Sequence, residues 1–166
     1  MPASKAAMVL SIMAVIAAVF NIINASFCKM CHNHRVIFLK NAAVITFVSL
    51  LIICLCLIFE IRTYFIAVIF FILAANASLT SLLVPVLHLT NRKMVSGTAV
   101  SIMNFCFFTM VGLLGTAMGF LLNLFEPEKS GNVLVYSNQS YLAVFGLFFL
   151  LSVFELYKAR KLSNKY

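Results

Sequence analysis

An all-α integral membrane protein is the fold class this sequence predicts, and three observations predict it. Hydrophobic residues make up 64% of the 166 residues and charged ones 10%, whereas a soluble domain carries about 25% charged and 45–50% apolar residues. Apolar stretches of membrane-crossing length recur along the whole chain. Twelve Lys and Arg face only four Asp and Glu, a net +8, and these charges gather on alternate connections. Disorder is excluded, because it requires low hydrophobicity. A nucleic-acid binder would need a broad basic, water-facing surface, and too little polar sequence exists to build one.

A hydrocarbon core about 30 Å thick takes about 20 apolar residues of helix, each rising about 1.5 Å. Five stretches qualify, and they fill residues 1–166 as a single membrane domain, a five-helix bundle. The first, about 6–23, lies between Lys5 and the polar run that opens at Asn24. The second, 41–59, holds nineteen residues without a charge between Lys40 and Glu60. The third follows Arg62 and covers 63–87; Pro85 removes a backbone donor near its end and is expected to kink it. The fourth covers 98–125 and the fifth 140–157. Between these last two, residues 126–139 read as a turn-rich loop, with Glu126, Pro127, Gly131 and Asn132.

Lys and Arg collect on the cytoplasmic side of short membrane loops. One side holds Lys29, Arg35, Lys40, Arg92, Lys93, Lys158, Arg160, Lys161 and Lys165; these nine, less Glu155, give +8. The other holds Lys5, Arg62 and Lys129 against Glu60, Glu126 and Glu128, and is neutral. The expected orientation is N-terminus outside and C-terminus cytoplasmic, in a cell or inner membrane. The competing reading, a signal peptide cleaved near Asn24-Ala25-Ser26, would put the nine positive charges outside.

Cys28-Lys29-Met30-Cys31-His32, followed by His34, matches the C-x-x-C-H haem-attachment pattern. Such haems are attached on the outer side of the membrane, opposite to where the charge places this loop. Thiolate and imidazole also suit zinc or copper, so Cys28, Cys31, His32 and His34 are metal candidates, although four ligands within seven residues make a strained site. The preferred reading is a basic cytoplasmic turn that carries no metal, and no cofactor is expected.

Polar groups in lipid are costly and face a cavity or another helix. The third span carries Asn76, Ser78, Thr80 and Ser81, and the fourth carries Asn104 and Thr109. Asn76 and Thr80, four apart, share a helix face. Asn76, Thr80 and Asn104 are therefore the substrate-path candidates, weighed against ordinary hydrogen bonding between helices. The middle of the spans holds no charge. In the fourth span Gly112 precedes Gly115-Thr-Ala-Met-Gly119, a small-xxx-small pattern that permits close helix approach. Of three N-x-S sequons, at Asn24, Asn76 and Asn138, only the last lies clear of the bilayer on the outer side. No catalytic motif is present, and an enzyme is not expected.

Asn91-Arg92-Lys93-Met94-Val95-Ser96-Gly97-Thr98-Ala99 runs into Val100-Ser-Ile-Met-Asn104-Phe105 and then the glycines. This resembles the turn between helices ten and eleven of the major facilitator superfamily, in which Gly97 would give a tight turn. The family's eight-to-nine loop, G-x-x-x-D-R-x-G-R-R/K, aligns with Ser26–Arg35, where Ser26, Met30 and Cys31 replace its Gly, Asp and Arg, and the basic Arg35 remains. Tyr136, Tyr141 and the basic tail suit helix twelve. The resemblance implies that the five spans are like helices eight to twelve. It also implies a partial secondary transporter of a small solute, truncated or split. A second chain would supply the other helices, because the family binds substrate between two six-helix halves. The alternative is a small non-transporting membrane subunit that assembles with other membrane proteins.

Overall fold

The computed structural model describes residues 3–30, 35–61, 63–79, 83–125, 128–130 and 133–161. The described chain is helical apart from one small hairpin. In order it runs α1 (Ala3–Met30), α2 (Arg35–Ile58), α3 (Thr63–Ala77), α4 (Leu83–Thr90), α5 (Lys93–Asn123), β1 (Glu128–Ser130), β2 (Val133–Val135) and α6 (Asn138–Lys161). Three stretches are long and apolar enough to cross a membrane: Val36–Ile58, Met94–Asn123 and Asn138–Lys161. The apolar stretches described in α1 and α3, Ser11–Asn24 and Tyr64–Ala77, are shorter. Three full-length candidates thus stand among the described residues, consistent with a multi-pass membrane protein.

The centre of the bundle is α2, which packs on α6 over the largest interface and on α3 beside it. α1 lies against α3, while α5 touches α6 and α4 at the periphery. Ile53 and Cys56 of α2 meet Ile69 of α3 in the core, flanked by Leu57, Ile66, Leu73 and Phe145. Phe47–Phe149 and Phe70–Phe145 ring pairs, with centroids 5.3 and 5.7 Å apart, tie α6 to α2 and α3. Lipid tails are as apolar as these side chains, so close fit holds membrane helices together rather than water exclusion. Small residues at the α2 and α6 surfaces supply that fit: Ala43 and Ser49 are buried on α2, and Ser140, Ser152 and Ala159 on α6. The Ser152 hydroxyl donates to Phe149 O at 2.7 Å, so this serine buries no unsatisfied donor.

Local chemistry sets the ends of these helices. α2 stops where Glu60 adopts φ 50 and Ile61 N–H reaches back to Cys56 O at 2.9 Å, the six-to-one bond of a Schellman cap. α6 starts two residues earlier than hydropathy places it, because Ser137 Oγ accepts from Ser140 N–H at 3.3 Å as an N-cap. Within the stretch expected to be a turn-rich loop, β1 and β2 pair antiparallel, Glu128 opposite Val135 and Ser130 opposite Val133. Only Gly131-Asn132 separates them, a dipeptide suited to tight hairpins.

The third expected span departs most from its sequence reading. One kinked helix over 63–87 was the expectation, whereas α3 ends at Ala77 and α4 begins at Leu83. The Ser78 hydroxyl donates to Ala75 O at 2.5 Å, satisfying a carbonyl of the final α3 turn. Pro85 is then the third residue of α4, where its missing N–H would have no intrahelical acceptor anyway. The described helix α4 carries the proline within its first turn.

Candidate functional site

The break between α3 and α4 places Asn76 in the last turn of α3, facing α2. Its side-chain amide donates to Ala42 O at 3.0 Å and to Thr46 Oγ1 at 2.9 Å. The Thr46 hydroxyl in turn donates to Ala42 O at 3.0 Å. Both amide protons are thereby engaged, and the amide oxygen, Oδ1, is buried with no partner among the described residues. On the other side of α3, Asn24 of α1 donates to Ser78 Oγ at 2.6 Å. Polar side chains thus join α1, α3 and α2 at the level where α3 ends.

Three adjoining cavities lie here, two of them lined by Asn76. One of about 370 Å³ lies between α2, α3, α4 and α6, lined by Ala42, Thr46, Asn76, Leu79, Leu83 and Glu155 among others. It shares Asn76 and Leu79 with a cavity of about 280 Å³ reaching Phe20 and Asn24 of α1. It shares Leu39 and Glu155 with one of about 620 Å³ that opens toward Lys158 and Lys161. The middle cavity is within the size range of small-molecule sites, about 300–1,000 Å³. Asn76 and Glu155 stand at its two junctions.

No family model matches the chain, and no curated protein or solved structure matches it significantly. The site therefore rests on geometry.

Of the substrate-path candidates, Asn76 lines two of the three cavities. Thr80 lies outside the described residues. Asn104 is exposed on α5 and lines none of these cavities. Pro85 is half-buried near the start of α4. Gly97 was expected to make the turn between the third and fourth spans, but that turn is at Asn91-Arg92 and Gly97 lies inside α5. Asn91 closes the turn, its side-chain amide donating to Leu87 O at 2.9 Å. A Cβ added at Gly97, Gly112, Gly115 or Gly119 would meet no heavy atom within 4 Å among the described residues. From Gly97 to Asn123 no residue of α5 is buried.

Arg92 is exposed in extended backbone just before α5 and makes no side-chain cap. Arg35 and Lys93 open α2 and α5, their side chains lying outside the described set. Cys31, His32 and His34 fall outside the described residues, and Cys28 is placed in α1 by backbone alone. Among the described residues no three of His, Cys, Asp or Glu come together.

Glu155 is the site residue that sequence reasoning missed. It was counted with the charges of the basic face, yet it lines the same cavity as Asn76. Its position before Lys158 and Lys161 gave the signal: α6 rises about 9 Å between Glu155 and Lys161, which sets the carboxylate deeper in the helix than the lysines. Those lysines lie over aromatic rings of their own helix, Lys158 over Phe154 at 5.2 Å and Lys161 over Tyr157 at 4.4 Å. Among the described residues, Glu155 makes no hydrogen bond or ion pair.

Proposed function

We propose that these helices form part of a membrane transporter for a small solute, with the path running along the three cavities past Glu155 and Asn76. The interruption of the third apolar segment carries this reading. Discontinuous helices with polar groups at the break are how secondary transporters present binding atoms inside a bilayer. Here α3 ends at Ala77, beside Asn76 and Ser78, against a cavity. The charge distribution supports five crossings with the N-terminus outside and the C-terminus cytoplasmic, the 620 Å³ cavity then opening to the cytoplasm. The likeness to helices eight to twelve of the major facilitator superfamily supports the same reading. In that family the path is completed by further helices.

Thiol accessibility tests the path. In a cysteine-free background, a cysteine at position 76 is expected to react with a membrane-impermeant thiol reagent. A cysteine replacing Val48, which is exposed on the outer surface of α2, is expected to be protected by lipid. Equal protection at both positions would remove the proposed path. A C-terminal reporter active outside the cell would overturn the orientation independently.

The open glycine face of α5 favours a second reading, a non-transporting subunit that binds a neighbouring membrane helix there. A cysteine at Gly115 crosslinking to a partner, with position 76 unreactive, would select it.

A further inference from the structure

We infer that the 370 Å³ cavity is a binding site for a small organic ammonium cation. This names a solute class for the proposed path, and it stands on the cavity alone.

The chemistry of the lining decides the class. Nine of the described residues line the cavity. Leu39, Ala42, Leu73, Ala77, Leu79 and Leu83 are apolar, leaving Thr46, Asn76 and Glu155. Every side-chain donor of those three already has an acceptor. The two Asn76 amide protons go to Ala42 O and Thr46 Oγ1, and the Thr46 hydroxyl proton goes to Ala42 O. Among the described residues what remains is acceptors: Asn76 Oδ1, buried and without a partner, and the carboxylate of Glu155, an exposed residue that makes no ion pair. A ligand that satisfies these described side chains therefore brings donors.

Charge selects a cation among donors. An ionised carboxylate on a membrane helix is costly unless it faces a cavity or a counter-charge. Lys158 and Lys161, three and six residues further on, lie over Phe154 and Tyr157. An ammonium supplies up to three N–H donors and the missing charge together. The walls select an organic cation over a metal ion. Six apolar residues surround three side-chain oxygen sites, whereas a dehydrated metal cation of the calcium or magnesium kind takes six or more oxygen ligands. An alkyl or arylalkyl body against Leu73, Leu79 and Leu83 uses the same walls favourably.

The test uses the full chain in lipid nanodiscs, with tritiated phenethylammonium as the probe and binding read by scintillation proximity. Saturable binding is expected. Phenethyl alcohol, of the same shape but uncharged, should compete about ten- to hundredfold more weakly, and E155Q should lose affinity by a similar factor, the worth of a hydrogen bond to a charged group. E155D keeps the charge and should retain most of the affinity. Absence of saturable binding, equal competition by the alcohol, or wild-type affinity in a monodisperse E155Q would each overturn the assignment. Equal displacement by sodium at the same concentration would overturn it in favour of a metal-ion site. If neither Glu155 variant folds, the comparison of ammonium with alcohol on the unaltered chain decides. Binding by the isolated chain needs no further helices. Ammonium binding with position 76 unreactive to thiol reagents would therefore refute the transport path alone, and a reactive position 76 with no binding would refute the ligand class alone.

Discussion

Replacing Asn76 with leucine should stabilise the protein or leave it unchanged while abolishing ammonium binding. The substitution removes two hydrogen bonds, to Ala42 O and Thr46 Oγ1. Side-chain hydrogen bonds inside membranes average about 0.6 kcal/mol each, so about 1.2 kcal/mol is lost. It also removes Oδ1, a buried acceptor with no partner among the described residues, and such a group costs about 1–3 kcal/mol. Thr46 keeps its own bond to Ala42 O, so no new orphan donor is created. The balance runs from about neutral to about 2 kcal/mol in favour of the variant. The opposed movement of stability and activity marks a residue kept for function at the expense of the fold. Equilibrium unfolding of the two proteins in mixed micelles gives the stability difference, and the nanodisc binding assay gives the function. A variant destabilised by more than about 2 kcal/mol would refute the reasoning, because Asn76 would then be a clamp between α2 and α3 with its oxygen satisfied.

Other expectations follow from single features. A double-mutant cycle on Asn24→Ala and Ser78→Ala should return a coupling of about 0.6 kcal/mol across α1 and α3, and zero coupling would mean that this bond does not join them. Glu60→Gly should raise the unfolding midpoint modestly, by no more than about 1 kcal/mol equivalent, because glycine adopts the left-handed cap without the Cβ penalty; a loss would show that the Glu60 side chain matters more than its backbone. Gly115→Leu should change the stability of the isolated chain by less than about 0.5 kcal/mol, since the added atoms enter open space. The same variant should weaken any crosslink formed through α5, and a large loss of monomer stability would place a neighbour there that the described residues do not provide.

Hydropathy made the class and most of the helices legible because it depends on sums along the chain. Val36–Ile58 and Asn138–Lys161 stand close to the predicted 41–59 and 140–157. Azimuth and termination were less legible. The residues over 63–79 are apolar enough for one continuous helix, yet α3 ends at Ala77, beside a serine hydroxyl bonded to Ala75 O. Asn76 was readable as a costly polar group in an apolar run. Thr46 was not, because a threonine whose hydroxyl bonds its own helix backbone is unremarkable until an amide from another helix reaches it. Glu155 was hidden by its neighbours. Beside Lys158, Arg160 and Lys161 it reads as one more charge on a membrane face, and only the packing of α6 on α2 turns it toward the cavity. The glycines of α5 promise close approach by spacing alone, which says nothing about where the approaching helix comes from.

The length of α5 carries a consequence of a different kind. Its 31 residues span about 46 Å, against about 30 Å of hydrocarbon in an average bilayer. Upright, it would push apolar side chains well into the headgroups, including Met94 at 96% exposure near its start. A helix with this much excess leans, or draws the surrounding lipid thicker, at a cost of fractions of a kcal/mol per ångström. Among the described residues the main contacts of α5 are with α6 and α4, and its buried residue is Ser96, so little there resists a change of angle. Membrane thickness thereby becomes a variable that sets the inclination of α5 against the bundle, and a thicker, sterol-rich bilayer favours its more upright arrangement.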